Sequence, residues 1–155
     1  MIFVTVGTHH QRFDRLLDGL APLAELDALV VQHGPGRPPA VARAVVPLMS
    51  ASETARHVEQ ARAVVTHGGV GSFLVAHRAG HVPVMVPRLR RHGEHVDDHQ
   101  VALVRALDRE GLAIAVWEIR DLADAVRAVP SRRDPELEDP RPLHSAVRLA
   151  LDGVA

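Results

Sequence analysis

Six short apolar runs, each separated from the next by a longer amphipathic or turn-rich segment, constrain this chain more than any other feature. They lie at residues 2–6, 28–31, 42–49 (ARAVVPLM), 63–66, 82–87 (VPVMVP) and 112–116 (LAIAV). Runs of four to eight residues rich in Val, Ile and Ala read as strands. Strands that are apolar throughout must be buried on both faces, and helices between them are what covers a parallel sheet. The expected fold is therefore α/β, a Rossmann-like parallel sheet sandwiched by helices. Helices are predicted from Phe13 to about Leu26, with Phe13, Leu16, Leu17, Leu20 and Leu23 on one side, and from Ser52 and Glu53 to about Gln60. Further helices are predicted after the glycines to Ala79, from about His95 to Arg109, and from Glu118 to Val129.

Size and composition narrow the function. A chain of 155 residues buries one core, so a single α/β domain over 1–130 is expected. The net charge of -1 argues against nucleic-acid binding, which calls for a basic excess. No apolar stretch approaches the roughly 18 residues that span a bilayer, and Met1 leads into IFVTV without a basic leader, so a cytoplasmic location is expected. Without cysteine there is no disulfide and no thiolate metal site. The stretch PSRRDPELEDPRP carries four prolines, and an exposed connection is expected at 131–142. Leu143, Val147, Ala150, Leu151 and Val154 then recur at helical spacing, which predicts a last helix at 143–155 that packs on the sheet or faces a partner.

The segment VVTHGGVGSF places Gly68, Gly69 and Gly71 between a strand and a helix. In parallel sheets ligands bind beyond the carboxyl ends of the strands, where a helix start offers unpaired N–H groups and its positive dipole end. Bare glycines let an anion approach those amides, and Ser72 adds a hydroxyl, so a phosphate or diphosphate is the natural guest. The pattern is neither a Walker loop nor a strict G-x-G-x-x-G, and a tight turn without ligand is the alternative. Two more loops reach the same edge. VGTHHQRFD can present the amides of Gly7 and Thr8 beside His9 and His10, and RLRRHGEHVDDHQ is dense in polar groups. Gln100 falls on one stripe with Val96, Leu103 and Leu107, so its amide meets either a structural partner or a ligand.

VTHGGVGS followed by a helix, the PVMVPR strand and GEHVDDHQ resembles the donor-binding C-terminal domain of glycosyltransferase family 28, over about residues 1–116. The opening FVTVGT...FD and the size resemble the small subunits of two-component, split GT-B transferases of exopolysaccharide and N-acetylglucosaminyltransferase type. The resemblance implies that His67, Gly68, Gly69, Gly71 and Ser72 bind the diphosphate of a UDP-sugar, and that Gly7 and Thr8 line the interdomain cleft. Asp97, His99 and Gln100 match the motif that holds hexose hydroxyls, with Glu94 and His95 in the preceding donor-side loop. Val75 stands where many relatives have a glutamate that bonds ribose.

An inverting transferase needs a base on the acceptor hydroxyl and a stabiliser for the departing diphosphate. The helix start at 69–72 and His67 are candidates for the second, as is Arg88 or Arg91, although these arginines read equally as a solvated loop. His9 and His67 are the candidate bases in this chain. The chain begins at the donor domain's first strand, so an acceptor-binding, membrane-anchored partner is expected to complete the site. Its acceptor is a lipid-linked glycan, its donor binder is recruited to the inner membrane face, and without the partner the chain could form a homo-oligomer. No cofactor is implied, the UDP-sugar being a co-substrate. His95 and His99, four apart on the predicted helix with Asp98 beside them, have a metal-ligand spacing, but no H-E-x-x-H and no third ligand is evident, and no metal is expected. Trp117 reads as packing rather than as a stacking platform. A non-catalytic donor-binding subunit and a zinc-dependent hydrolase are the alternatives.

Overall fold

Each apolar run forms a strand, and all six join one parallel sheet. In the computed structural model, which describes residues 1–133, 143–145, 147 and 148, the strands are β1 (Ile2–Thr5), β2 (Leu29–Gln32), β3 (Ala44–Val46), β4 (Ala63–His67), β5 (Val84–Val86) and β6 (Ile114–Ala115). The helices are α1 (Asp14–Asp18), α2 (Ala21–Ala24), α3 (Ala51–Gln60), α4 (Val70–Arg78), α5 (His99–Arg109) and α6 (Leu122–Arg127). The sheet order is β3-β2-β1-β4-β5-β6, the doubly wound arrangement. The chain runs outward from β1 to β3 and then returns to β1's other side as β4, so the crevice between β1 and β4 is the topological switch point.

Alternation along the strands divides the core. Ile2, Val4, Val65, Val84 and Val86 face α1, α2 and α6, burying Phe13, Leu16, Leu20, Leu23, Leu122 and Val126. Phe3 and Val64 face the other way with Val58 of α3 and Ala76 of α4, and Met85 packs with Phe73, Val104 and Leu107. Register places Thr5 beside both Gln32 and Thr66 at the carboxyl edge, so the strands turn polar where the crevice opens.

Four helices differ from the sequence reading. The helix expected over 13–26 is two short ones: Pro22 has no N–H to donate and cannot continue the preceding turn, but it is well placed in the first turn of α2. The apolar stripe from Phe13 to Leu23 is buried as expected. Helix α3 is capped by Ser50, two residues before the expected start, through a capping box: Ser50 Oγ accepts from Glu53 N–H at 3.2 Å while Ser50 N–H donates to Glu53 Oε2 at 2.8 Å. The helix expected from His95 starts only at His99. The expected helix at 118–129 opens as a 3-10 turn over Ile119–Asp121 before α6. Most of the connection at 131–142, and Ala150, Leu151 and Val154, lie outside the described residues, while Leu143 packs against the cluster around Phe73. Among the described residues no helix is long and apolar enough to cross a membrane.

Candidate functional site

At the switch point a cavity of about 430 Å³ opens between the ends of β1 and β4 and the starts of α3 and α4. Its walls bring together Gly7, Thr8, His67, Gly71, Ser72 and Val75, all singled out in the sequence. They add Thr5, Gln32, Met49, Ala51 and Thr54, which sequence reasoning missed. The signals were there: Thr5 and Gln32 are polar residues ending apolar strands, and the Ser50/Glu53 spacing fixes where α3 begins.

Helix α4 has Gly69 as its N-cap and no capping side chain. Its first intrahelical bond runs from Phe73 N–H to the Gly69 carbonyl at 3.1 Å, so the amides of Val70, Gly71 and Ser72 precede it without intrahelical partners. Glycine is required here by its neighbour. The His67 imidazole sits between the backbones of Gly7 and Gly69, and a Cβ on either would collide with the ring. Gly7 also has φ +76°, where L residues are strained.

Not every backbone amide expected to bind an anion is available. Gly7 N–H is donated to Thr5 Oγ1 at 3.2 Å, and Thr5 is in turn held by Gln32, which accepts the threonine hydroxyl at 2.6 Å and donates to the Gly7 carbonyl at 3.0 Å. Gly68 N–H is donated to Gln100 Oε1 at 3.0 Å. The start of α4 is thus the part of the glycine turn left open.

The charge expected at the site is also differently placed. Burial, and after it the Arg88 charge, lowers the His67 pKa to about 4, so the imidazole is neutral at physiological pH and is a weak base. His9 is lowered too, first by burial and then by His95 and His10. Its Nδ1 accepts Gln11 N–H at 3.2 Å, which puts the ring proton on Nε2 and leaves no free lone pair on the neutral ring. Arg88 is neither a phosphate clamp nor part of a solvated loop. It is fully buried, stacks over Phe13 at 4.7 Å, and donates to the carbonyls of Val6, Gln11, Arg12 and Glu94 at 2.9–3.2 Å. Its Nε has no partner among the described residues, and burial brings its pKa down to about 10 against the opposing pull of Glu94, which leaves it charged.

The loop from β5 to α5 is built from such contacts. Glu94 is buried, pairs through both oxygens with Arg15 at 2.8 and 2.9 Å, and accepts Leu89 N–H at 2.9 Å. Gln100 Oε1 accepts Arg88 N–H as well as Gly68 N–H, both at 3.0 Å, stitching this loop to the glycine turn. His95, Asp97 and His99 do not line the cavity. Nor do His95 and His99 share a helix face, since α5 begins at His99, and the acid between them is Asp97 rather than Asp98, whose carboxylate accepts Arg90 N–H at 2.9 Å. Trp117 is half-exposed, with the Arg105 guanidinium 5.3 Å above its ring.

Comparison with solved structures agrees with this architecture. The chain is similar to the crystal structure of the glycosyltransferase SnogD from Streptomyces nogalater, at 24% identity and TM-score 0.55, over 97% of this chain and 38% of that one. It is also similar to the crystal structure of the glycotransferase of kitacinnamycin, at 20% identity and TM-score 0.52, over 98% of this chain and 39% of that one. Both likenesses show the fold, and the chain spans less than two-fifths of either protein. No curated protein matches it. A family model described as the glycosyltransferase family 28 C-terminal domain matches residues 1–150, and the chain belongs to that family.

Proposed function

We propose that this chain binds a nucleotide-sugar donor, a UDP-sugar, with the diphosphate against the start of α4, and that it is the donor-binding catalytic subunit of an inverting glycosyltransferase. The carrying observation is the set of amides at 70–72, unpaired within the helix, beside a cavity of about 430 Å³ at the switch point. Such a volume lies within the range of nucleotide-sized ligand sites. Family membership supports a donor of this kind.

In an inverting displacement the acceptor hydroxyl attacks the anomeric carbon, the bond to the diphosphate oxygen breaks, and a base takes the hydroxyl proton. The dipole of α4 and its free amides stabilise the charge that develops on the leaving diphosphate. His67, neutral and wedged between Gly7 and Gly69, contributes hydrogen bonding rather than charge. Neither His67 nor His9 is poised as the base, and this favours a base supplied by a second protein. The resemblance to two-component transferases points to a membrane-anchored subunit that holds a lipid-linked glycan, the sugar moved being a hexose or N-acetylhexosamine.

The test is thermal stabilisation across UDP, UDP-sugars, GDP and TDP, since a ligand that binds only the native state raises its melting temperature by mass action. Stabilisation by UDP species above the others is the expected outcome, and none by any of them would remove the proposal. One observation favours a second reading. Val75 lines the cavity where a ribose-binding glutamate is expected, so equal stabilisation by all three diphosphates would point to a donor-binding subunit without base selection.

A further inference from the structure

Between β5 and α5 the loop alternates anchored and convergent residues. Glu94 is fixed through its carbonyl to Arg88 at 3.0 Å and through its carboxylate to Arg15, Asp98 is fixed to Arg90 N–H, and Gln100 is fixed to Gly68 and Arg88. The residues between them, His95, Asp97 and His99, turn their side chains together, and one ligand atom from each lies within 4.8 Å of the other two.

These contacts are not well explained as hydrogen bonds alone. Asp97 Oδ1 lies 3.2 Å from His95 Nδ1 and in closer contact with His99 Nδ1. Yet His95 Nδ1 also receives the Asp97 backbone N–H, at 3.4 Å. One imidazole nitrogen cannot keep a proton for the carboxylate and a lone pair for the amide at once. When it accepts, its lone pair and that of the carboxylate face each other at 3.2 Å. A cation between them removes the conflict. Ligand atoms about 2.0–2.1 Å from a tetrahedral ion lie roughly 3.3 Å apart, close to the 3.2 Å between His95 Nδ1 and Asp97 Oδ1, while the exposed His99 ring, now in closer contact with Asp97, would turn outward to take its place on the ion.

We propose that His95, Asp97 and His99 form a binding site for a divalent transition-metal ion of the zinc and cobalt class. Two imidazoles and one carboxylate suit these ions, and three protein ligands leave a position open, the pattern of a site that takes a water or substrate oxygen rather than of a closed structural one. His95 is nearly buried, between the rings of His9 at 4.5 Å and His99 at 4.6 Å, and is held in place. Asp97 and His99 are exposed, which gives the ion a way in. Sugar hydroxyls belong to the class of ligand the open position accepts; that last step rests on the donor reading, and the site itself does not.

The experiment titrates cobalt(II) into tag-free protein stripped with chelator, following visible absorption and measuring bound metal per chain. One ion per chain with the intense absorption of a low-coordinate centre is expected, displaced by zinc. His99→Ala and Asp97→Asn, both at exposed positions, should each weaken binding by more than about tenfold with unchanged circular dichroism, while His92→Ala leaves it intact. Absence of stoichiometric binding, or equal affinity in His99→Ala, Asp97→Asn and the parent chain, would overturn the site. Stabilisation by UDP measured in chelator decides the donor reading separately.

Discussion

The glycine turn and the β5–α5 loop look alike in sequence, both polar, both at the carboxyl edge, yet they do opposite work. Around the glycine turn the side chains are small and the amides at the start of α4 are left open to a cavity. In the loop, Arg88, Glu94 and Gln100 are buried and occupied by backbone groups of three other segments. The difference teaches that what the start of α4 presents to the cavity is open backbone, and that Arg88, Glu94 and Gln100, which resemble binding groups in sequence, hold that backbone in place. Preorganisation of this kind lets dipoles act on a ligand without first reorganising.

The largest effect that could break this comparison comes from Arg88→Met. A phosphate-binding arginine would cost affinity and little stability. A bracing arginine does the reverse first: four carbonyls lose their donor, while the Glu94 carboxylate keeps its pair with Arg15. Each buried carbonyl left without its donor costs about 1–3 kcal/mol, so several together cost at least about 3 kcal/mol. Chemical denaturation should show a loss of that size, and a variant as stable as the parent chain would contradict the bracing role.

His67 gives the next effect, on the open side. Its pKa is lowered to about 4 in the folded chain from the ordinary imidazole value of 6.5, chiefly by burial, so the unfolded chain binds more protons between these values. Stability should therefore be full above about pH 6.5 and fall as the pH drops toward 4, by about 3 kcal/mol if the whole shift is realised. In His67→Gln the loss over that window should shrink. An equal slope in the two proteins would mean that the imidazole is not desolvated between Gly7 and Gly69.

The strands, their parallel association and the glycine turn were legible because they rest on local pattern: apolar runs of fixed length, and glycines where backbone must approach something closely. The start of α5 was not. Asp97 and Asp98 bond backbone and side-chain groups nearby, and such local bonds compete with helix in a way that depends on which tertiary partners are present. Arg88 was illegible for a related reason. An arginine in a run of basic residues reads as solvated, and only the convergence of Val6, Gln11, Arg12 and Glu94 on one point makes its burial tolerable. Gln100 lay between: its amide stood out on an apolar stripe, and the two alternatives offered by the sequence were a structural partner or a ligand. Its Oε1 has two backbone partners.

The smallest effect sharpens the comparison within the cavity itself, where two helix starts face the same space. Helix α3 satisfies part of its own first turn and sets the Glu53 carboxylate there, since Ser50 and Glu53 exchange bonds with each other's backbone, whereas α4 begins at Gly69 with no capping side chain. An anion should therefore choose α4. Ser50→Ala removes the side-chain half of the box and should lower stability by about 1 kcal/mol. Its consequence for UDP distinguishes the two starts: if the diphosphate rests on α4 alone, affinity stays within about twofold of the parent chain, less than about 0.4 kcal/mol. A tenfold change in either direction would mean that α3 shares the ligand, because freeing its amides, or losing the serine hydroxyl, would then alter the contacts the diphosphate makes.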